Sequence, residues 1–284
     1  MKIIQTDNAI SDEDRAQIIF SGALIIHKNI SDMHSLIDWT TELLQNALDG
    51  LDPTTAQAQL DPETFIKTTA AAQKTFRESE ACRQLFFDAL KTCGVDTSNT
   101  YYDHFPLRVV PYGTEHGGAR NSFIGHHRDT WGSNIHSQIN WWAPIFELEE
   151  TRTIAIYPDY WTKPLANNTA EWRFAKHMES RRNTPAGLQA PYPSAPSPQA
   201  EVDETGVVKV MLQPGDVLGF SSAHLHSSVP NTSNCTRYSV EMRTVNQFDL
   251  AAGRAAPNVD NAGAELMYQW FKRISDKQVL QHDT

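Results

Sequence analysis

The chain has 284 residues, of which 40% are hydrophobic and 20% are charged. This composition is typical of a globular protein with a sizeable core and excludes a disordered chain. Its 34 acidic residues outnumber its 24 basic residues, which gives a formal net charge of −10. Because an acidic surface without blocks of lysine and arginine repels phosphate backbones and anionic lipids, we expect no nucleic-acid or membrane partner and favour a small-molecule substrate.

Targeting signals and cysteine usage indicate the compartment. No stretch reaches the roughly 18 uninterrupted apolar residues that span a bilayer, and the first residues show neither a basic nor an apolar targeting segment. The three cysteines, Cys82, Cys93 and Cys235, are too few for a disulfide framework and lack the close spacing of a zinc–thiolate site. We therefore expect a cytoplasmic protein.

The first hundred residues carry a helical period. Apolar residues recur at three- and four-residue steps over residues 31–50, with Ser31 as the predicted N-cap, and again over residues 79–93. A glycine ends each of these two predicted helices. The short apolar and β-branched run at residues 22–27 predicts a strand. Residues 1–100 are therefore expected to be mostly helical.

From residue 101 to residue 250 the sequence changes to short β-type runs separated by turn residues. About seven such strands without helical crossovers predict an antiparallel sandwich or jelly roll, and not a doubly wound parallel sheet. Residues 161–205 interrupt the pattern, and five prolines in their second half predict a surface insertion, either a lid or a mobile loop. Residues 251–284 return to a helical period and predict a C-terminal helix. We treat residues 1–284 as a single domain with a mainly β core and flanking helices.

The sharpest local motif is the run Gly-His-His-Arg-Asp that ends at Asp129. Alternate residues of an extended strand face the same side, so His127 and Asp129 should project together, with His126 and Arg128 on the opposite side. An imidazole and a carboxylate on one side suit Fe(II), Mn, Co or Zn better than Ca or Mg. A lone His-x-Asp tripeptide in a chain with 11 histidines is nevertheless more often structural.

A second group of polar residues comes after the apolar strand predicted at residues 215–220. This strand leads into His224, His226 and several serines, which is typical of an element that opens into a pocket. After a turn, Arg237 begins the next predicted strand. In a β-hairpin Arg237 would lie opposite the histidine strand and could point into the same cavity. A guanidinium there would present a fixed fork to a small carboxylate.

Taken together, these residues resemble the iron(II)- and 2-oxoglutarate-dependent oxygenases, in particular their phytanoyl-CoA hydroxylase-like branch. The resemblance rests on His127-x-Asp129, on His226 99 positions after His127, and on an arginine eleven positions later. The segment 226–237 is similar to that branch's second-histidine motif, and the match covers about residues 101–245 apart from the insertion. It implies a double-stranded β-helix, a cupin-like jelly roll, with the N-terminal helices packed on the outside.

The resemblance also implies a role for each matching residue. The metal ligands for Fe(II) would be His127, Asp129 and His226. Arg237 would hold the distal carboxylate of 2-oxoglutarate, with Ser228 hydrogen-bonding beside it, and Trp141 would line the cosubstrate. The implied reaction uses O2 and 2-oxoglutarate to hydroxylate an unactivated C–H bond. Desaturation, ring closure and epimerisation use the same ligands.

Three of these assignments have rivals within the sequence. His224 lies two residues before His226 on the same strand face, although the eleven-residue spacing favours His226. Trp142 is adjacent to Trp141 and must face the opposite side, so only one of them lines the site. Arg243 lies six residues beyond Arg237 on the same face and is the alternative carboxylate anchor.

The substrate is indicated only in outline. The sequence pattern HHRDTW…NWW resembles that of bacterial tailoring oxygenases of secondary metabolism. A cyanobacterial alkaloid hydroxylase of the cylindrospermopsin type is the most specific candidate. The net charge and the tryptophan-rich strand favour a cationic or zwitterionic, partly planar metabolite. The residues expected to flank the pocket are Arg108, Arg120, Asn121, Trp131 and Asn134.

Two other classes of function are compatible with the same residues. A cupin-like hydrolase or isomerase could use the triad with Zn or Mn and without an oxo acid. A non-catalytic jelly-roll binding module is the second alternative, although it has no need of two histidines, an aspartate and an arginine in this register.

Overall fold

The computed structural model describes residues 1–113, 124–185 and 190–281. Its helices and strands, in chain order, are β1 (Ile3–Thr6), α1 (Asp12–Phe20), β2 (Leu24–His27), α2 (Ser31–Ala47), α3 (Pro62–Glu78), α4 (Glu80–Thr92), β3 (Thr100–Tyr102), β4 (Leu107–Val110), α5 (Asp129–Ser133), β5 (Gln138–Pro144), β6 (Ile154–Ile156), α6 (Phe174–Arg182), β7 (Val208–Lys209), β8 (Val217–Ser221), β9 (His226–Ser228), β10 (Arg237–Asn246), α7 (Gln247–Ala251) and β11 (Lys272–Arg273).

The N-terminal hundred residues are mainly helical, as predicted. Helices α2 and α4 are the two predicted helices, β2 is the predicted strand, and α1 and α3 are additional. The Ser79 hydroxyl accepts a hydrogen bond from the backbone N–H of Cys82 and caps α4. The predicted cap of α2 is wrong. Ser31 is the first residue of that helix, and Ile30 holds the cap position without a side-chain hydrogen bond.

The β core consists of two sheets. Among the described residues, the main sheet has eight strands in the order β1-β2-β8-β5-β10-β3-β11, with β4 also paired to β10, and the small sheet has the order β7-β6-β9. Strand β10 lies at the centre of the main sheet and runs antiparallel to β3, β4 and β5. The two faces of the main sheet are covered differently, which fixes the position of the site.

One face of the main sheet packs against the helices and the other faces the small sheet. Trp141 and Met242 share a hydrophobic cluster with residues of α1 to α4. Trp142 and Phe220 share another with Ile154 of β6. This alternation reflects the two-residue period of strands. The fold prediction, a mainly β core in a jelly-roll arrangement with the helices outside, is confirmed.

Strands β9 and β10 do not form the hairpin predicted from the sequence. His226 of β9 pairs with Ile156 in the small sheet, whereas Arg237 of β10 pairs with Val110 in the main sheet. The connection between the two strands therefore crosses from one sheet to the other. Arg237 still lies opposite β9, because it faces that strand across the gap between the sheets.

The predicted C-terminal helix is wrong. Beyond α7, the described part of residues 251–284 holds one 3-10 turn at Tyr268–Trp270 and strand β11. Phe271 is fully buried, and β11 pairs with β3, while Leu266, which a helix would turn inwards, is 47% exposed. Pairing with the sheet edge and burial of Phe271 therefore override the local helical period.

The insertion at residues 161–205 lies between β6 and β7 and contains helix α6, whose residues are all partly or fully exposed. A helix without a buried face has no apolar period to reveal it in the sequence. Residues 186–189 of the proline-rich half lie outside the described residues. No helix in the described part of the chain is both long and apolar enough to cross a bilayer.

Gly94, which comes after α4, has a backbone φ of +92°, and a β-carbon there would lie 2.3 Å from the carbonyl oxygen of Ile10. Gly50, which comes after α2, has a similar φ of +82° but open space around it. We expect Gly50→Ala to lower the free energy of unfolding by about 1 kcal/mol, the cost of the left-handed conformation. Gly94→Ala should cost about 1–3 kcal/mol more because the backbone must move. Equilibrium denaturation measures both, and equal losses would contradict this account.

Candidate metal centre

Two backbone hydrogen bonds bring the predicted metal ligands together. The N–H of His127 donates to the carbonyl of His226, and the N–H of His226 donates to the carbonyl of His127, both at 3.0 Å. His127 therefore lies in an isolated bridge next to β9 and not in a long strand. Asp129 begins α5, but the backbone at Arg128 is extended, with φ −113° and ψ 135°. The side chains of His127 and Asp129 consequently lie on one side of the segment, beside His226.

The three side chains form a compact group. One ligand atom each from His127, Asp129 and His226 lies within 4.8 Å of the other two. Nε2 of His127 lies 3.9 Å from Oδ1 of Asp129, and Nε2 of His226 lies 3.5 Å from its Oδ2. All three residues line a cavity of about 920 Å³ between the two sheets. The group can hold one metal ion.

Hydrogen bonds fix which nitrogen of each imidazole is available. Nδ1 of His127 lies 2.8 Å from the carbonyl oxygen of Gly125, and Nδ1 of His226 lies 3.0 Å from that of His224. A carbonyl oxygen only accepts, so each Nδ1 must carry its proton. In the neutral form of either ring this leaves the lone pair on Nε2, the nitrogen that lies near Asp129. This is the arrangement typical of metal-binding histidines, whose other ring nitrogen is held by a hydrogen bond.

The protonation states also suit a metal. Burial, with His127 beside it, lowers the pKa of His226 to about 4, so this ring is neutral at pH 7. Burial alone would raise the pKa of the Asp129 carboxyl, but Arg243 and the adjacent imidazoles hold it well below its ordinary value. A neutral imidazole and a carboxylate are the forms that bind metal. Two imidazoles and one carboxylate favour borderline ions such as Fe(II) over Ca or Mg.

The Asp129 carboxylate is held on both oxygens. Oδ1 accepts a hydrogen bond from Nη1 of Arg243 at 2.9 Å, and Oδ2 accepts one from the side-chain amide of Asn140. Arg243 is also paired with the buried carboxylate of Asp103. Arg243, the alternative anchor for an oxo acid, is therefore already occupied by protein carboxylates.

The guanidinium of Arg128 points away from His127 and Asp129, as its position between them predicts. It donates to the carbonyl oxygens of Ala223 and Tyr160 and pairs with Asp260 at 3.1 Å. Asp260 in turn accepts a hydrogen bond from the indole of Trp131 at 2.7 Å. The Arg128 guanidinium also donates to the carbonyl oxygen of Lys163 at 3.3 Å. The segment that carries His127 and Asp129 is thus joined to the insertion through Lys163 and to the C-terminal segment through Asp260.

Arg237 is a buried cation that lines the cavity. It is 5% exposed, donates to the carbonyl oxygen of Thr153, and lies 3.3 Å from the hydroxyl of Ser228. Its Nε is buried and has no partner among the described residues, and the same holds for the hydroxyl of Ser239. Burial lowers the pKa of Arg237 to about 10, which leaves it charged at neutral pH. Arg237 and Ser239 therefore offer buried hydrogen-bond donors that could bind an anionic group.

Ser239 is absent from the sequence-based predictions. A signal was available, because Ser239 lies two residues after Arg237 on the same strand and must therefore face the same side.

Trp141 and Trp142 both border the cavity, but the indole ring of Trp141 makes its contacts on the other face of the sheet. Its indole nitrogen donates to Thr244 at 2.8 Å, and the Arg15 guanidinium lies 5.4 Å from its ring, on the helical side of the sheet. Trp142 instead faces inwards and packs with Phe220. The sequence establishes that the two rings face opposite sides, but only the packing of the helices decides which one is inside.

His224, the rival ligand, is directed elsewhere. Its ring nitrogens lie 3.1 Å and 3.2 Å from the carbonyl oxygens of Ser221 and Gly22, and its ring packs against Trp161. His126 likewise lies away from the triad, with Nε2 2.9 Å from the hydroxyl of Tyr157.

The insertion and the C-terminal segment complete the cavity wall. Pro196, His177 and Trp270 line the cavity together with Gly132 of α5. A β-carbon on Gly132 would lie 3.7 Å from the Trp270 ring and 4.0 Å from Pro196, so these groups are close to one another. Arg108 also lines the cavity. Trp131 and Asn134, also expected to flank it, donate instead to Asp260 and to the carbonyl of Gly263. Arg120 and Asn121 lie outside the described residues.

No protein-family model matches the chain, and no curated protein matches it. Among solved structures it is similar to the non-heme monooxygenase ThoJ in its apo form, with 12% identity over 82% of this chain and 77% of that chain and a TM-score of 0.48. It is also similar to EvdO2 from Micromonospora carbonacea var. aurantiaca complexed with 2-oxoglutarate, with 13% identity over 87% of this chain and 94% of that chain and a TM-score of 0.43. A third similar structure is that of SnoN, a non-heme alpha-ketoglutarate-dependent epimerase from nogalamycin biosynthesis. It has 11% identity over 82% of this chain and 80% of that chain and a TM-score of 0.41.

The pair between Arg128 and Asp260 should matter for stability, because both side chains are at most 5% exposed. We expect Asp260→Ala to lower the free energy of unfolding of the metal-free protein by about 3 kcal/mol, since it leaves a buried guanidinium without its carboxylate. Asp276→Ala, which removes a surface pair with Arg273, is the matched control and should change stability very little. Equilibrium denaturation of the two variants tests this, and similar losses would contradict it.

Proposed function

We propose that this protein is an Fe(II)- and 2-oxoglutarate-dependent oxygenase that hydroxylates an unactivated C–H bond of a small molecule. The observation that carries the proposal is the combination of two groups in one cavity. His127, Asp129 and His226 can hold a metal, and Arg237 lines the same cavity as a buried cation without a carboxylate partner among the described residues. A buried unpaired charge is costly unless a ligand compensates it.

The residues fit the two cofactors in different ways. His127, Asp129 and His226 would supply three ligands to Fe(II). Arg237, with the hydroxyls of Ser239 and Ser228, would bind the distal carboxylate of 2-oxoglutarate through charge-assisted hydrogen bonds. When bound, Fe(II) and 2-oxoglutarate supply the activation of O2 that the oxidation requires.

The rest of the cavity supports a small-molecule substrate. Its volume of about 920 Å³ suits a metabolite. Arg108 and Glu241 face the cavity as an ion pair in which each side chain is about one-third exposed. Because both signs of charge are accessible there, we propose a cationic or zwitterionic substrate. The aromatic wall at Trp270 would bury a planar part of it and exclude water from the metal.

The finer assignment rests on the sequence motifs. We propose membership of the phytanoyl-CoA hydroxylase-like branch, on the spacing of His226 and Arg237, and a tailoring step of secondary metabolism. An alkaloid hydroxylase of the cylindrospermopsin type is the narrowest form of this proposal. A cupin-like hydrolase or isomerase would use the triad but would leave the charge of Arg237 without a role.

The choice of His226 over His224 as a ligand is testable. We expect His226→Ala to weaken anaerobic Fe(II) binding by more than about 100-fold, because a ligand is lost. His224→Ala removes an equally buried imidazole from the same stretch of chain and should bind one Fe(II) per chain as the wild type does. Metal analysis after anaerobic dialysis of folded protein measures both. The opposite result would make His224 the ligand.

The role of Arg237 can be tested by titrating anaerobic Fe(II) protein with 2-oxoglutarate and monitoring the visible charge-transfer band. We expect Arg237→Met to raise the dissociation constant about 100-fold, because the distal carboxylate loses its charged partner. Pyruvate lacks that carboxylate, so the same substitution should leave pyruvate binding unchanged. Arg152→Met removes another buried arginine, which binds the carbonyl of Glu147, and is the control. Absence of the band in the wild type would favour the cupin-like alternative.

A further inference from the structure

Asp129 is held by a chain of side chains that reaches beyond the metal ligands. Arg243 donates through Nη1 to Oδ1 of Asp129 at 2.9 Å, and through Nε to Oδ2 of Asp103. Its guanidinium therefore bridges two carboxylates, one of which is a candidate ligand and the other of which is not. Asp103 lies at the far end of this bridge and does not line the cavity.

Asp103 is anchored firmly enough to fix Arg243. Its side chain is 3% exposed, and its Oδ1 accepts a hydrogen bond from the backbone N–H of Arg243 at 3.1 Å. The N–H of Asp103 donates to the carbonyl of Arg243 at 3.2 Å, and His104 lies 2.8 Å from its other oxygen. Arg243 is thus held by its own backbone and by its side chain, which leaves one end of the guanidinium directed at Asp129.

The second oxygen of Asp129 is held from the other side of the site. Asn140 donates to Oδ2, and the amide oxygen of Asn140 accepts a hydrogen bond from the hydroxyl of Ser222. Gln138 donates to that hydroxyl at 2.7 Å. Both oxygens therefore have a fixed donor, and rotation of the carboxylate about its bond to Cβ would break one hydrogen bond or the other.

Resting on the proposed function, we propose that Arg243, fixed by Asp103, is a positioning residue that keeps the Asp129 carboxylate turned towards the two histidines. The charge of Asp103 offsets that of Arg243, so the pair presents Asp129 with a directed donor and adds little net positive charge beside the metal. Residues that orient metal ligands in this way commonly contribute 10–100-fold to metal affinity.

The test separates orientation from charge. Arg243→Lys keeps the positive charge but loses the planar fork that reaches two carboxylates at once. Arg108→Lys is the matched control, because Arg108 also pairs with a carboxylate, Glu241, in the same cavity. Each variant is titrated anaerobically with Co(II). The visible ligand-field bands report the coordination of the metal, the titration gives its affinity, and circular dichroism with thermal melting confirms folding.

We expect Arg243→Lys to weaken Co(II) binding 10–100-fold and to change the intensities of the ligand-field bands. Arg108→Lys should leave both within about threefold of the wild type, since it does not touch Asp129. Asp103→Asn, which keeps Arg243 but weakens its anchor, should change the bands in the same direction by a smaller amount. This second variant keeps the test informative if Arg243→Lys does not fold.

Three results would overturn the proposal. In the first, Arg243→Lys has the affinity and spectrum of the wild type. In the second, Arg108→Lys shows an equal loss, which would indicate a general effect of charge in the cavity. In the third, the melting temperature falls in Arg243→Lys and Asp103→Asn while the Co(II) spectrum stays the same, which would indicate a purely structural role. Because the Co(II) titration contains no oxo acid, it remains decisive even if the wild type fails to bind 2-oxoglutarate.

Discussion

The site depends on the pair of backbone hydrogen bonds that joins His127 to His226. Each bond contributes only about 1 kcal/mol net, but together they fix the register between two segments that are far apart in the chain. Because side chains alternate along extended backbone, a shift of one residue would turn His127 away from the cavity. The two imidazoles therefore face one another as a consequence of strand register.

The same alternation of side chains also directs Arg128, which lies between His127 and Asp129. With His127 and Asp129 directed inwards, Arg128 is directed outwards, where it binds two backbone carbonyls and Asp260. Asp260 also accepts a hydrogen bond from the backbone N–H of Leu165 in the insertion. The segment that carries His127 and Asp129 and the cavity wall are consequently joined through one buried ion pair.

Local periodicity made part of this fold predictable, and the predictions fail where packing decides. Helices α2 and α4 were predictable because apolar residues repeat on one face, and the two-residue period gave the common direction of His127 and Asp129. That period could not tell whether Trp141 or Trp142 lies inside, because the choice depends on which face the helices cover. Phe271 is buried against a sheet edge formed about 170 residues earlier in the chain, a contact that no local pattern of its own segment could indicate.

Three charged residues on the same face of β10 have different partners. Arg237, Glu241 and Arg243 lie at even spacing and must face the same side, so the sequence makes them equivalent. Their neighbours make them different. Arg243 meets two aspartates and Glu241 meets Arg108, whereas Arg237 meets only a carbonyl and a hydroxyl. Among these arginines, Arg237 alone has no carboxylate partner in the described part of the chain, so it is the one whose charge an anionic ligand in the cavity would compensate.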